Sequence, residues 1–166
     1  MLEPDYYFES VFEIPYEKLR EKGIKGIIFD IDNTLTAFDE EKPNDETVKL
    51  LQKLQAMGLK LCLLTNNTSK RLSGFNKDLK LPGFASALKP FTVGVKKAMN
   101  EMGVKPNQTV IIGDQLLTDI WAGKNAGITT VLVKPISQRD FMFVKFKRII
   151  ENRMLKKFFA NLEQAE

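Results

Sequence analysis

Histidine is absent from the 166 residues, and cysteine occurs once, as Cys62. The first absence removes catalytic triads built on imidazole and the common zinc ligand sets. The second removes any disulfide within the chain. Cys62 lies inside the apolar run LKLCLLT, where a small core residue is expected rather than a redox or metal group. No stretch approaches the roughly 18 uncharged apolar residues that a membrane-spanning helix needs. The opening residues, MLEPDYYFES, carry no basic run feeding an apolar one, so no secretory leader is read and the expected location is the cytoplasm. What remains is 43% hydrophobic, in a length that one domain fills without staples. The expectation is one domain over residues 1–166, with 1–25 as an N-terminal arm.

Charge is unevenly placed. Residues 134–157 hold eight basic residues against Asp140 and Glu151, while the whole chain has a net charge of only +4. The basic character therefore belongs to the C-terminal segment, 135–166, where large apolar residues such as Phe141, Phe143, Phe146 and Phe158 alternate with Lys and Arg. An amphipathic helical segment is expected there. Three occupants of its apolar face stay open: the chain's own sheet or a neighbouring subunit, an anionic bilayer, and nucleic acid.

Between these ends, strand-like and helix-like segments alternate. GIIFDI (26–31), LKLCLLT (59–65), FASAL (84–88), TVIIG (109–113) and ITTVLVK (128–134) read as strands. Pro43-Asn44-Asp45-Glu46 opens a helix that Gly58 stops. Residues 68–79, 91–103 and 118–127 read as further helices. Repeated βα units of this length predict an α/β fold with a mostly parallel sheet of about five strands and helices on both faces.

In such sheets chemistry sits beyond the carboxyl ends of the strands. Reading those ends gives Asp30 and Asp32, then Thr65, Asn66 and Asn67, then Lys89, then Gly113 and Asp114. Each has an ordinary reading by itself. Asp30-Ile-Asp32-Asn33 can be a turn, Thr65-Asn66-Asn67-Thr68 a helix cap, Lys89 a surface lysine, and Asp114 or Asp119 a first-turn acid. Their occurrence at four successive strand ends argues for a site. Asp30, Asp32 and Asp114 offer the hard oxygen ligands that Mg2+ prefers. A carboxylate can also attack phosphorus and form an aspartyl-phosphate. Lys89 would offset the crowded negative charge, and Thr65 with the backbone near Asn66 would bind phosphate oxygens. Gly113 would let the backbone come close to the site.

These residues also carry a resemblance. FDIDNTLT (29–36) resembles the DxDxT motif of the haloacid dehalogenase superfamily. LLTN (63–66), Lys89 in ALKP and GDQLLTD (113–119) are similar to its second, third and fourth motifs, in order, over residues 26–134. The resemblance implies a three-layer Rossmann-like fold, with Asp30 as nucleophile and Asp32 as general acid and base. It further implies Thr65, Asn66 and Lys89 at the phosphate, and Mg2+ on Asp30, the Asp32 carbonyl and Asp114. Asp119 becomes a supporting acid that orders Lys89 or the metal's waters. The short arm ending in GIKGIIFDIDNTL, the TNN sequence and ALKP are closer still to the subfamily IIIA phosphatases that include the phosphatidylglycerophosphate phosphatases.

The intervals from Asn33 to Leu59 and from Asn67 to Lys89 are too short for an inserted cap domain. An open site is expected, suited to a phosphate on something bulky. A lipid headgroup leads; a nucleic-acid end or a small phosphorylated metabolite would use the same chemistry, and a non-catalytic scaffold would keep only the fold. Oligomerisation is compatible with each.

Overall fold

The computed structural model describes residues 2–137, together with Asn152, Leu155, Lys156 and Ala160. The rest of the basic segment anticipated at 135–166 lies outside the described residues. Six strands form one sheet: β1 (Tyr6–Phe8), β2 (Gly26–Phe29), β3 (Lys60–Leu64), β4 (Gly83–Phe84), β5 (Thr109–Gly113) and β6 (Thr129–Val133). Their order is β1-β6-β5-β2-β3-β4, and every neighbouring pair is parallel. The helices are α1 (Tyr16–Glu21), α2 (Asp45–Ala56), α3 (Ser69–Asn76), α4 (Val93–Met102) and α5 (Trp121–Ala126). This is the three-layer fold that the βα alternation predicts.

The layers follow from side-chain alternation along the central strands. On β2, Ile27 and Phe29 join Leu61, Leu63, Val110 and Ile112 in a core shared with Leu51 and Leu54 of α2. Ile28 points the other way, to Cys62, Leu64 and Ile111, under Val95, Ala98 and Met99 of α4. All these residues are fully or almost fully buried, so the continuous apolar runs are the signature of strands covered on both faces. Cys62 is one of them, and burial pushes its thiol up to about 12. It is a core residue.

Helix ends obey local chemistry. Asn44 Oδ1 accepts from the Thr47 N–H at 2.8 Å and starts α2. Thr68 Oγ1 accepts from the Arg71 N–H at 3.2 Å and starts α3. Among the described residues no helix is long and apolar enough to cross a membrane.

The sheet has one strand more than anticipated. Residues 1–25, read as an arm, contribute β1, which pairs with β6 in the register Tyr6 to Val131. Three half-buried aromatic residues give no clear period, which is why the strand was not visible in the sequence. What fixes it is Asp5. Its backbone N–H donates to the Thr130 carbonyl, and its Oδ2 accepts from both the N–H and the hydroxyl of Thr130, each at 2.8 Å. Its Oδ1 meets Lys124 Nζ at 2.6 Å. Other expected elements differ only in extent: β4 has two residues rather than five, and the segment before α5 opens as a wide π turn, Leu116–Ile120.

β2 is the switch point: the chain runs from it to β3 and β4 on one side, and to β5, β6 and β1 on the other. A crevice at its carboxyl end follows from this order.

The Asp5 cluster yields a pH prediction. Burial raises the carboxyl's affinity for its proton, but the bonds from Lys124 and Thr130 outweigh it and hold the group below its ordinary value of 3.8. A carboxyl held low stabilises the folded state above that value, and the gain disappears as pH falls through the folded value. Asp5→Ala should cost about 1–2 kcal/mol near neutrality, discounted for partial exposure. In denaturant titrations the gap between variant and wild type should close as the pH is lowered past 3.8.

Candidate active site

The crevice is built from strand ends and the turns after them. The β2 strand stops at Phe29, and the Asp30 N–H still bonds to the Ile112 carbonyl at 3.0 Å, so the Asp30 carboxyl leaves the sheet at its edge. Asn33 then takes a left-handed conformation, φ 62°, which turns the chain back within four residues. A cleft of about 370 Å³ opens here, lined by Asp30, Asp32, Thr65, Asn66, Asn67, Lys89, Gln115 and Thr118. Of the residues singled out from the sequence, Asp30, Asp32, Thr65, Asn66 and Lys89 thus meet in one place.

Lys89 is buried at its centre. Its Nζ lies 2.7 Å from Asp30 Oδ1, 2.6 Å from Asp119 Oδ1 and 2.9 Å from the Leu64 carbonyl oxygen. An ammonium has three N–H bonds, and all three find acceptors. Burial alone would lower the Lys89 ammonium, but Asp119 and Asp30 hold it above the ordinary lysine value. Burial pushes the Asp30 carboxyl up to about 7; Lys89 opposes this, and the nearby Asp119 adds to it.

Asp119 arrives there through the π turn. Its Oδ2 accepts from the Gln115 N–H at 3.1 Å, so the turn closes on its own carboxylate. The packing leaves no room at Gly113, where a Cβ would overlap the Asp119 side chain. Gly113 was anticipated as a place of close backbone approach, and the group it admits is Asp119.

Asp30, Asp114 and Asp119 form a buried cluster in which one oxygen from each lies within 4.8 Å of the others. Three carboxylates against one buried ammonium leave two negative charges, and the donors are all hard oxygens. That set fits a divalent cation of the Mg2+ type. The anticipated Mg2+ group named Asp30, Asp32 and Asp114. The Asp32 side chain stands outside the cluster, so only its backbone carbonyl remains for the role expected of it.

The Asp32 carboxylate is held from the other wall. Arg71 Nε donates to Oδ1 at 2.8 Å and Asn67 Nδ2 donates to Oδ2 at 3.1 Å. Arg71 also donates to the Glu41 carbonyl at 3.0 Å, which ties α3 to the loop after Asn33. Thr65 is buried, and its hydroxyl accepts from the Asn67 N–H at 3.0 Å. Asn66, anticipated at the phosphate through the backbone N–H groups near it, lines the cleft, and its side chain serves Lys89. Its Oδ1 accepts from the Lys89 N–H at 2.8 Å, and its Nδ2 donates to the Lys89 carbonyl at 2.9 Å.

Two site residues escaped the sequence reading. Thr34 is buried with its Oγ1 3.2 Å from Asp30 Oδ2 and 3.4 Å from Asp114 Oδ1, bridging the ends of β2 and β5. The signal was present, because Thr34 is the threonine of DxDxT. Arg71 had no such signal; one helical arginine among 25 basic residues looks like any other.

Comparison with known proteins agrees with the geometry. Residues 36–127 match the model of the haloacid dehalogenase-like hydrolases. The chain is 35% identical to the probable phosphatase YqeG of Bacillus subtilis, over 92% of this chain and 88% of that protein. It is 25% identical to the chloroplastic/mitochondrial phosphatidylglycerophosphate phosphatase 1 of Arabidopsis thaliana, over 87% of this chain but only 44% of that protein's length. In structure it is similar to 3-deoxy-D-manno-octulosonate 8-phosphate phosphatase of Moraxella catarrhalis, a structure in complex with magnesium and phosphate ions. There the TM-score is 0.57 at 20% identity, over 75% of this chain and 77% of the other.

Gly113→Ala tests the packing of the cluster. The new methyl must displace Asp119, so the variant should lose about 1–3 kcal/mol of stability from overpacking. A crystal structure of the variant should show the contact between Lys89 and Asp119 lengthened or lost.

Proposed function

The chain belongs to the haloacid dehalogenase-like hydrolases, as a phosphoric monoester hydrolase, and on that premise we propose that it removes phosphate from phosphatidylglycerophosphate, with Mg2+, through an aspartyl-phosphate on Asp30. The observation that carries the chemistry is the buried junction of Asp30, Lys89 and Asp119 beside Asp114, at the mouth of an uncapped cleft.

Asp30 is the nucleophile. Its carboxylate oxygen forms a bond to phosphorus as the bond from phosphorus to the leaving alkoxide breaks. Asp32, half-buried at the cleft wall, enters this step having taken up a proton from solvent; it gives that proton to the alkoxide and is left as the carboxylate that Arg71 and Asn67 hold. It then takes a proton from water, whose oxygen attacks phosphorus. This breaks the aspartyl-phosphate, frees Asp30 and releases inorganic phosphate. Lys89 keeps Asp30 aimed and meets the charge of the non-bridging oxygens. The Thr65 hydroxyl, an acceptor toward Asn67, keeps its own proton for a phosphate oxygen. A cation held by Asp30, Asp114 and the Asp32 carbonyl would neutralise phosphate charge. Asp119, through Lys89, and Thr34, through Asp30 and Asp114, position these groups.

Two findings support the lipid as substrate: the similarity to a protein named for that activity, and the lack of any domain inserted over the cleft. Only α2 separates β2 from β3, and only α3 separates β3 from β4. A phosphate on a bulky headgroup reaches such a site without a lid. Contact of the basic segment at 135–166 with an anionic bilayer belongs to the same proposal.

The test is phosphate release with Mg2+ from phosphatidylglycerophosphate in mixed micelles, beside p-nitrophenyl phosphate and a 3′-phosphorylated oligonucleotide. Release from the lipid should stop on chelation and resume when Mg2+ is restored. Asp30→Asn should lower it at least about a thousandfold, as expected for loss of a covalent nucleophile. Release from the other two substrates alone would remove the lipid and leave the Asp30 chemistry. Full activity in Asp30→Asn would remove the nucleophile.

A further inference from the structure

Four large apolar side chains stand exposed on one side of the cleft: Leu88, Phe91, Val93 and Trp121, at 64%, 69%, 55% and 44%. They belong together. Leu88 immediately precedes Lys89 in the cleft, and it is held in the left-handed region, φ 56°, where a leucine is rare. The Phe91 N–H bonds to the Leu88 carbonyl, so the two side chains flank one tight turn. Asn125 Nδ2 reaches the Pro90 carbonyl at 3.5 Å, which sets α5 against that turn. Trp121 lies one helical turn before Asn125, and three residues after Thr118, which lines the cleft.

The charge near them is mostly basic. From Leu79 to Asn100 there are four lysines, of which Lys89 is buried in the cleft, and no acidic residue before Glu101 near the end of α4; from Ile120 to Arg139 there is again no acidic residue. Lys96 and Lys97 are exposed on α4, one turn beyond Val93. Lys124 on α5 is paired with Asp5. The exposed acidic residues Asp39, Glu40 and Glu41 lie in the loop that Arg71 of α3 ties down through the Glu41 carbonyl, on the Asp32 side of the cleft.

We propose that this rim of Leu88, Phe91, Val93 and Trp121, backed by Lys96 and Lys97, seats the cleft on the surface of an anionic phospholipid bilayer. Aromatic and aliphatic side chains enter the boundary between headgroups and acyl chains, while nearby lysines meet anionic headgroups. A second copy of the chain suits the surface less well, since a two-fold contact would set the lysines of one copy against those of the other. Leu88 adjoins Lys89, so a bilayer on the rim places headgroup phosphates at the entrance to the site. The inference rests on the lipid reading of the function and adds the surface by which the lipid is met.

Trp121 is the chain's one tryptophan and so reports directly on the rim. With the full chain, vesicles of phosphatidylcholine mixed with phosphatidylglycerol should shift its emission to the blue, and brominated lipids should quench it. Phosphatidylcholine alone should do neither. Phe91→Gln should weaken the partition about tenfold, from the apolar area it withdraws, and leave p-nitrophenyl phosphate turnover unchanged. Sedimentation with vesicles without a Trp121 response, or equal partition of Phe91→Gln and wild type, would overturn the proposal. So would a blue shift that depends on protein concentration without vesicles, which would assign the rim to a second copy. Release from micellar phosphatidylglycerophosphate separates the two readings. Release with a silent Trp121 removes the rim and keeps the substrate; a responding Trp121 without release keeps the rim and removes the substrate.

Discussion

A buried ammonium between two buried carboxylates organises this molecule. Taking one charge out of water costs several kcal/mol, and removing a single partner of a buried pair leaves an uncompensated charge. Lys89 is therefore tolerable only if its acceptors are already in place. Asp30 is set by the end of β2, the Leu64 carbonyl by the end of β3, and Asp119 by the π turn after β5. Three strands must reach register before the lysine can be buried. The demand extends outward: Asn66 fixes both main-chain groups of Lys89, and Gly113 gives up its side chain so that Asp119 can lie against the strand end.

The same junction accounts for the affinity expected for a cation. Lys89 cancels one of the three carboxylate charges of Asp30, Asp114 and Asp119, and the remaining charge sits where solvent cannot screen it. Asp30 responds by holding its proton more tightly, and burial is the larger cause. A divalent cation held by these carboxylates would supply the charge that a second lysine would supply, and could also meet phosphate oxygens. Thr34, between Asp30 and Asp114, spaces two carboxylates that would otherwise repel at short range.

How much of this was legible follows from what each residue type signals. The central strands were plain because both of their faces are buried, which turns alternation into unbroken apolar runs. Asp30, Asp32, Thr65, Lys89 and Asp114 were plain because strand ends in a parallel sheet converge at one edge, whatever lies between them. Other features depend on contacts that sequence spacing does not encode. The β1 strand exists because Asp5 meets Thr130, 125 residues away. The grip of Arg71 on Asp32 spans 39 residues and looks like surface chemistry until α3 is docked. Asn66 was read for its backbone N–H beside Thr65; that its side-chain amide satisfies both main-chain groups of a lysine 23 residues on requires the β4 turn to be known.

The two walls of the cleft differ in a way that suits the proposed chemistry. Asp30 and Lys89 are buried and tied by contacts of 2.6–2.9 Å, so the proposed nucleophile has little freedom. Asp32 is more exposed, at 20% against 9% for the Asp30 side chain, and it is held from α3 and its entrance by Arg71 Nε at 2.8 Å and Asn67 Nδ2 at 3.1 Å. A nucleophile gains from being held in line, since its work is one approach to phosphorus. A general acid that becomes a general base must reach two different oxygens, first the leaving alkoxide and then a water. Burial on one wall and access to solvent on the other therefore answer two demands of the proposed reaction. The fold meets them by closing the sheet core beneath Asp30 and leaving Asp32 to the loop and α3.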